Sequence, residues 1–466
     1  MEKLQLLSVD HVVAWARALL SAVSDAGEFE VIDSGNELWS TELHKDWTVD
    51  DWKSIVGRIT DLANAYKQVP ASPIDAPFGI IAVQDPSTFK VKLFKALSLM
   101  FGETAAVYAF LRLSRALSTI GARIFDLIIV EFFDDFTQIE FEQCGDSAWV
   151  TMEGFLELLG WEVSKKADKR LPFKKSFATL GVQLDLSKST DGVVVVTNKE
   201  GRLDSIEDSI KKVVKKGSMD FKEALGIKGK ISYAEGQLFG RVAARVCRLL
   251  SIWARSGDDK KISEEMKGSL LAVVGALRDA GPRVIGFNLH DYPIVIFTDG
   301  ACEKDCTSVG GIIFEFGKRP QAFGCVMSGW VIREWATKVD QTQVIGQAEI
   351  FPVLVARLTW GPRLASKRVL YFIDNDSARL ALIKSYSPIL ESLKIIEKCA
   401  AWDCTHNSTA WYARVPTEAN CADGPSRMEM GVVKEYGAEI IQPKFPDRRS
   451  WATDVLGFGQ ERIRGL

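Results

Sequence analysis

Apolar positions near the amino terminus recur at helical spacing. Leu4, Leu7, Val12, Val13, Trp15, Ala16, Leu19 and Leu20 predict an amphipathic helix within residues 1–30. Residues 31–58 mix Gly, Asp and Trp and read as irregular, with a helix around 49–56. Ile59-Thr60-Asp61 predicts a short strand, followed by a helical turn over 62–69. Pro70, Pro73 and Pro77 then impose extended or turning backbone. Residues 78–94 alternate around Asp85-Pro86 as a hairpin does, and 103–120 has the pattern of a helix. Residues 126–133 (DLIIVEFF) and the TQIEF segment after them are β-rich, which puts Asp134-Asp135 at a hairpin tip. A helix over 145–159, strands near 161–164 and 177–186, and a mostly helical stretch 203–256 broken near Gly217 and Gly226–Gly229 complete the first part.

Gly281-Pro282 opens a boundary at 282–290, and the pattern changes beyond it. YPIVIFTDGA, GGIIFEF and residues 322–330 predict three successive strands. A helix over 347–360, a strand over 369–374, a helix over 375–401 and a last strand at STAWYARVP follow. The expected fold is multidomain, α/β and α+β. It divides into a short N-terminal part (1–58), an antiparallel sheet with helices (59–195), a helical connection (196–285), an α/β domain with a mixed sheet (290–430) and a C-terminal tail (431–466).

A chain of 466 residues exceeds one ordinary core, in keeping with several domains. With 47% apolar and 26% charged residues it has the profile of a globular protein. The 13 Trp and 25 Phe supply core material and some surplus aromatic surface. Net charge is −3, against the basic excess common in nucleic-acid proteins, but the charge is segregated. The N-terminal 60 residues are acidic. KKADKRLPFKK (165–175) and the lysines and arginines between Lys211 and Arg255 are basic, suited to phosphate contacts or to a solvated helix face. The eight cysteines and four histidines lack paired zinc-site spacing, and scattered thiols suit an intracellular compartment, cytoplasm or nucleus. No apolar run reaches a membrane span. The start reads as an amphipathic helix and not as a secretory signal.

Two groups of acids carry candidate chemistry. Asp61 and Asp134-Asp135 fall at the ends of β segments, and the pair interrupts the apolar run IIVEFFDDF, where carboxylates cost solvation unless a cation compensates. Two-metal nucleotidyl transfer needs oxygen ligands of this kind. Asp299 in TDGA ends a hydrophobic strand, Glu349 falls on a helix, Asp374 ends another strand, and Asp423 stands beside a late helix start. Together these four acids suit metal-assisted hydrolysis of a phosphodiester. Singly, each acid is as well explained by a cap or a turn.

The segment ITDLANAYKQV (59–69) resembles the first palm motif of reverse transcriptases. LMFGETAAVYAFLRLSRAL (99–117) resembles their glycine-containing motif, EFFDDF (131–136) the Tyr-x-Asp-Asp box, and LGWEVSKKADK (159–169) and FATLGVQLDL (177–186) the two downstream motifs. The Asp299–Glu349–Asp374–Asp423 order and the RVPTEANCADGPSR tail (414–427) resemble the ribonuclease H superfamily in its retroelement form. The order of modules is similar to that of DIRS-like and pararetrovirus-like polymerases. The resemblance implies an RNA/DNA-directed DNA polymerase with ribonuclease H activity, acting on RNA template, DNA primer, RNA–DNA hybrid and dNTP.

The same resemblance implies two Mg²⁺ per active site, with Mn²⁺ as an alternative, held by Asp61, Asp134 and Asp135 in one and by Asp299, Glu349, Asp374 and Asp423 in the other. Tyr66 would exclude a ribose 2′-hydroxyl, Gln68 would neighbour substrate, Gly102 would let backbone approach the nucleotide, and Lys165 or Lys166 would sit near the triphosphate. Segment 227–255 looks like a thumb or connection. Three departures stand out: Phe132 replaces the box tyrosine, only about 60 residues precede Asp61, and no histidine lies just before Asp423. They leave two alternatives: a retroelement-derived nucleic-acid-binding protein with an inactive or truncated polymerase, or a nuclease of the ribonuclease H type alone.

Overall fold

A computed structural model of the chain describes residues 6–32, 37–75, 77–238, 241–255, 260–287, 292–303, 306–336, 344–448 and 451. The chain forms two compact units. One is Met1–Lys199 with Ile285–Asn288, and the other is Glu200–Val284 with Leu289–Leu466.

In the first unit the N-terminal helix is α1 (Val9–Ser21), followed by a hairpin of β1 (Glu28–Ile32) and β2 (Leu38–Glu42). Helix α2 (Val49–Lys53) is a single capped turn, closed by reciprocal bonds between Thr48 and Asp51. Strand β3 (Ile55–Asp61) follows at once. The expected helix over 49–56 is cut short because Ile55 and Val56 are β-branched and buried, and packing there outweighs local helix preference. After a 3₁₀ turn come the hairpin β4 (Ile80–Gln84) and β5 (Val91–Lys95), helix α3 (Thr104–Phe125), β6 (Ile129–Phe132), β7 (Asp135–Phe141), α4 (Gly145–Leu158), β8 (Ser176–Thr179), β9 (Val182–Asp185) and β10 (Val193–Asn198).

Strands β3, β7 and β6 form an antiparallel sheet in that order. Helix α1 covers one face through Val12, Val13, Ala16 and Leu20, which share a core with Ile55, Val130 and Ile139. Helices α3 and α4 cover the other through Phe110, Leu117, Met152 and Phe155, packed with Phe136. The strand expected at 161–164 is reduced to one bridge, Leu62 to Val163. The stretch expected as one strand over 177–186 is a hairpin, folded at Leu180 and Gly181, both at positive φ. Strand β10, a run of four valines, extends this hairpin, and β13 (Arg283–Gly286) completes a second sheet in the order β13-β10-β9-β8.

In the second unit, α5 (Arg202–Lys216), α6 (Phe221–Glu235), α7 (Ala244–Arg255) and α8 (Glu264–Asp279) bury a common core that includes Ile210, Ile231, Leu250 and Val273. A small ladder of β11 (Ser218–Met219) and β12 (Lys260–Lys261) accompanies them. The break at Gly217 occurs, as a left-handed cap. The break expected at Gly226–Gly229 does not, because both glycines lie inside α6 while its other face is held by buried Ala224, Ile227 and Ile231.

The rest of this unit has a six-stranded mixed sheet ordered β18-β17-β14-β15-β16-β19. The strands are β14 (Ile294–Glu303), β15 (Cys306–Phe314), β16 (Gln321–Val326), β17 (Arg368–Ile373), β18 (Thr409–Arg414) and β19 (Glu439–Ile440). Its helices are α9 (Gly329–Ala336), α10 (Ile345–Leu364), α11 (Asp376–Lys384), α12 (Leu390–Thr405), α13 (Asp423–Ser426) and α14 (Gly431–Glu435). The third strand stops at Val326, and the end of its expected span is helix α9. The helix expected over 375–401 is two, divided after Lys384 by Ser385 at positive φ and by Pro388. Strand β14 pairs antiparallel with β15 and parallel with β17, and α10 packs over it through Phe351, Leu354 and Val355. The fold is thus mixed α/β, with antiparallel sheets in the first unit and a mixed sheet in the second. Among the described residues no helix is long and apolar enough to cross a membrane.

Candidate active sites

The first cluster is built by strand register. Asp61 ends β3 and pairs directly with Asp135, the first residue of β7, while Asp134 lies in the turn between β6 and β7. Phe133 opens that turn at φ 54, a left-handed conformation that a bulky residue adopts at a cost. Ser114 of α3 donates its hydroxyl to the Phe133 carbonyl at 2.6 Å, and Leu62 donates its N–H to the Asp134 carbonyl. The turn is therefore tied to both the helix and the neighbouring strand. Burial raises the Asp134 and Asp135 carboxyls. Asp135 is pushed up to about 6, with repulsion from Asp134 adding to the effect of burial.

Tyr66 is 6% exposed, stacked on Phe110 at 4.6 Å and against Phe101 at 4.7 Å. Its phenol is raised by burial and by nearby Asp134, so it stands at the edge of the acid cluster. The Gln68 amide is committed to backbone: its nitrogen donates to Glu162 O, and its oxygen accepts from Glu162 N. It pins segment 161–164 alongside Asp61. Gly102 lies at φ 93 with open space where a Cβ would be, next to Phe101. Lys165 and Lys166 are exposed. The lysine that reaches the acids is Lys169, whose Nζ lies 3.0 Å from Asp61 Oδ1. Sequence reasoning passed over it, although it stands in the same basic run. Ser114 left no sequence signal at all.

In the second cluster, Asp299 lies within β14 and is 5% exposed, Asp374 directly follows β17, and Glu349 projects from the first turns of α10. One oxygen from each of the three lies within 4.8 Å of the others. Three glycines permit this. A Cβ on Gly300 would stand 2.0 Å from the Ala348 carbonyl oxygen, so only glycine lets α10 press Glu349 onto β14. A Cβ on Gly310 would meet Ser426 N at 2.3 Å, and one on Gly324 would meet Pro425 O at 2.3 Å. These two glycines let α13 lie against β15 and β16. Ser426 of α13 donates its hydroxyl to Asp299 Oδ2. Asn420 donates its amide to the Thr298 carbonyl at 3.3 Å.

Asp423 lines the same cavity, of about 350 Å³, but pairs with Arg427 at 3.1 Å and stays outside the trio. Arg427 also meets Glu303 at 2.6 Å. Burial, then the nearby charges of Asp299 and Asp374, pushes Glu349 to about 8. Burial likewise pushes Asp299 to about 6. Glu349 Oε2 and Asp374 Oδ1 are buried with no hydrogen-bond partner. Acid oxygens that converge and repel one another, two of them without a donor, form a donor set that a divalent cation takes. Asp299, Glu349 and Asp374 could therefore hold a metal ion, with Asp423 at the rim. The first cluster offers carboxylates as well, with the Lys169 ammonium already among them.

No family model matches the chain, and no curated protein matches it. Solved structures similar to it include two of foamy viral origin. One is a foamy viral protease-reverse transcriptase dRH in complex with double-stranded DNA: TM-score 0.38 and 13% identity, over 83% of this chain and 64% of that one. The other is the foamy viral protease-reverse transcriptase in complex with double-stranded DNA: TM-score 0.40 and 13% identity, over 90% of this chain and 85% of that one. The chain thus spans a little under two thirds of the first of these.

Proposed function

We propose that the chain is a nucleic-acid-processing enzyme with two centres: nucleotidyl transfer at Asp61, Asp134 and Asp135, and hydrolysis of RNA in hybrids at Asp299, Glu349 and Asp374, with Asp423 at the rim. The convergence of Asp299, Glu349 and Asp374, two of them with orphaned buried oxygens, is the observation that carries this reading. Mg²⁺ bound there would supply charge neutralisation and an activated water oxygen. The protein's own part is to hold the acids at fixed spacing by β14, β17 and α10. Asp423 and Arg427 then line the side on which a phosphodiester enters. At the first centre Asp61 and Asp135 face each other, Lys169 supplies a cation for triphosphate oxygens, and Tyr66 walls the sugar side of the incoming dNTP.

Two assays test the proposal. A labelled RNA–DNA hybrid should be cleaved with Mg²⁺ or Mn²⁺, and Asp374→Asn should abolish cleavage; undiminished cleavage in the variant refutes the second site. Extension of poly(rA)/oligo(dT) should depend on Asp134. One observation favours a second reading, a nuclease of the ribonuclease H type whose first centre no longer polymerises: the Lys169–Asp61 ion pair occupies a carboxylate that nucleotidyl transfer requires. Absence of extension with intact hybrid cleavage selects it. The DIRS-like placement rests on the order of modules in the sequence alone, and the foamy viral likeness does not add to it.

A further inference from the structure

A second recess of the second unit shares no lining residue with the one that holds Asp299, Glu349 and Asp374. It is a cavity of about 900 Å³ walled by α6 and the segment leading into α7, by the C-terminal end of α11, and by α12. Its remaining wall is strand β18, from Ser408 through Ala413. β18 is an edge strand, because the sheet order ends on it.

Its parallel register with β17 fixes which backbone groups face the cavity. Thr409 donates its N–H to Lys367 O, and Val415 donates to Ile373 O. Odd-numbered residues therefore turn their amides toward β17. Ala410, Tyr412 and Arg414 turn both N–H and C=O outward, and among the described residues no strand pairs with that side. A free edge flanked by helices is a strand-acceptor slot, the geometry by which a sheet takes up an extended peptide. A strand the length of β18 spans about 20 Å at ~3.3 Å per residue.

The charge around the slot selects the peptide. Arg241, Arg283, Arg379 and Lys384 line it, against two acids, Glu235 and Asp403. Asp403 is held by the buried Arg357 guanidinium through two bonds of 2.8 Å and is already neutralised. Glu235 is half-buried and accepts the Ala243 N–H. Arg379 is likewise held by Asp376 at 2.9 Å, so Arg241 and Lys384 are the cations the rim offers to a peptide. Trp411, 71% exposed, adds an apolar surface beside the edge.

We infer that the outer edge of β18 binds an extended acidic peptide segment of a partner protein as an added β-strand, gripped by the outward amides of Ala410 and Tyr412 and by the Arg241 and Lys384 side chains.

The test uses the full chain and a fluorescein-labelled hexapeptide of alternating Glu and Val, followed by anisotropy. Saturable binding is expected. N-methylation of the peptide at alternate residues should abolish it in one register and spare it in the other, because only one set of amides meets β18. Ala410→Pro removes one outward donor on an edge that tolerates proline, and should weaken binding at least tenfold while hybrid cleavage stays unchanged. Arg241→Glu with Lys384→Glu should reverse the preference toward a Lys-Val hexapeptide. Equal affinity for both N-methylated forms, or no saturation at millimolar peptide, overturns the inference. So does a single-stranded oligonucleotide that binds the slot while the peptide does not.

Discussion

Lys169 holds its ammonium 3.0 Å from Asp61 Oδ1, the carboxylate that faces Asp135 across the β3–β7 pair. The hydrogen bond to Asp61 raises the lysine further, so it is a cation at every physiological pH. Its side chain is 46% exposed, and an ion pair so open to water is worth no more than ~1 kcal/mol. A divalent cation or a triphosphate displaces it at little cost. Lys169→Ala should therefore tighten Mn²⁺ binding at the first centre by about fivefold, the equivalent of that ion pair. Electron paramagnetic resonance titration in an Asp299→Asn background, which silences the second centre, reads this directly. Extension by the same variant should fall through a higher KM for dNTP. Unchanged Mn²⁺ affinity and unchanged KM together would remove Lys169 from the site.

The approach of α10 to β14 rests on a missing side chain. Since a Cβ at Gly300 would lie 2.0 Å from Ala348 O, which is backbone and cannot rotate away, Gly300→Ala must push the helix off the strand. Overpacking of this kind costs about 1–3 kcal/mol. It also moves Glu349 away from Asp299 and Asp374. The variant should lose hybrid cleavage almost completely with a lowered Tm, while Gly346→Ala, which has open space around its added methyl, should leave cleavage intact. Cleavage at wild-type rate in Gly300→Ala would mean that the three acids need not converge.

The parts of this architecture legible in the sequence are those written in short-range patterns. The β6–β7 hairpin with acids at its tip and the YFID strand end show as apolar runs that stop at an aspartate; TDGA reads the same way, but its strand runs on past Asp299 to Glu303. The order Asp299, Glu349, Asp374 is likewise readable before any fold is known. What escaped reading depends on pairing between distant segments. Lys169 meets Asp61 only because segment 161–164 is pinned by Gln68 and by the Leu62–Val163 bridge. Strand β10, though a run of valines, becomes a strand through β9 on one side and β13 on the other. Glycines 300, 310 and 324 fall in expected strands, but their role is visible only once helices lie across them. Asp423, grouped by order with the other three acids, is drawn aside by Arg427, a neighbour four residues on.

Arg357 is fully buried beneath the sheet. It bonds both Asp403 oxygens, the Tyr412 hydroxyl and the Val353 carbonyl, and its guanidinium lies 4.6 Å from the Tyr371 ring. A buried pair this well satisfied contributes little over an apolar replacement, yet breaking it strands a charge. Asp403→Ala alone should destabilise the chain by about 3–5 kcal/mol in urea unfolding, whereas Arg357→Met with Asp403→Leu should recover most of that loss. If the double variant is no more stable than the single one, the network is worth more than the desolvation argument allows.

Glu235 sets a pH dependence that can be isolated. Burial pushes its carboxyl up to about 7, offset in part by the Ala243 N–H it accepts. An unfolded glutamate titrates near ~4.3. Between these values the folded chain holds the proton and the unfolded chain has lost it, so stability declines as pH rises from ~4.3 and the decline is complete above about 7. Glu235→Gln keeps an acceptor for Ala243 and removes the ionisation. Measured by urea unfolding, the variant should gain about 1–3 kcal/mol relative to wild type on going from pH 5 to pH 8. Across that window each pH step over which only the folded carboxyl keeps its proton costs the wild type ~1.4 kcal/mol, and the contact Glu235 retains with water reduces the total. A stability difference between the two proteins that stays constant over that range would show that Glu235 ionises freely in the fold.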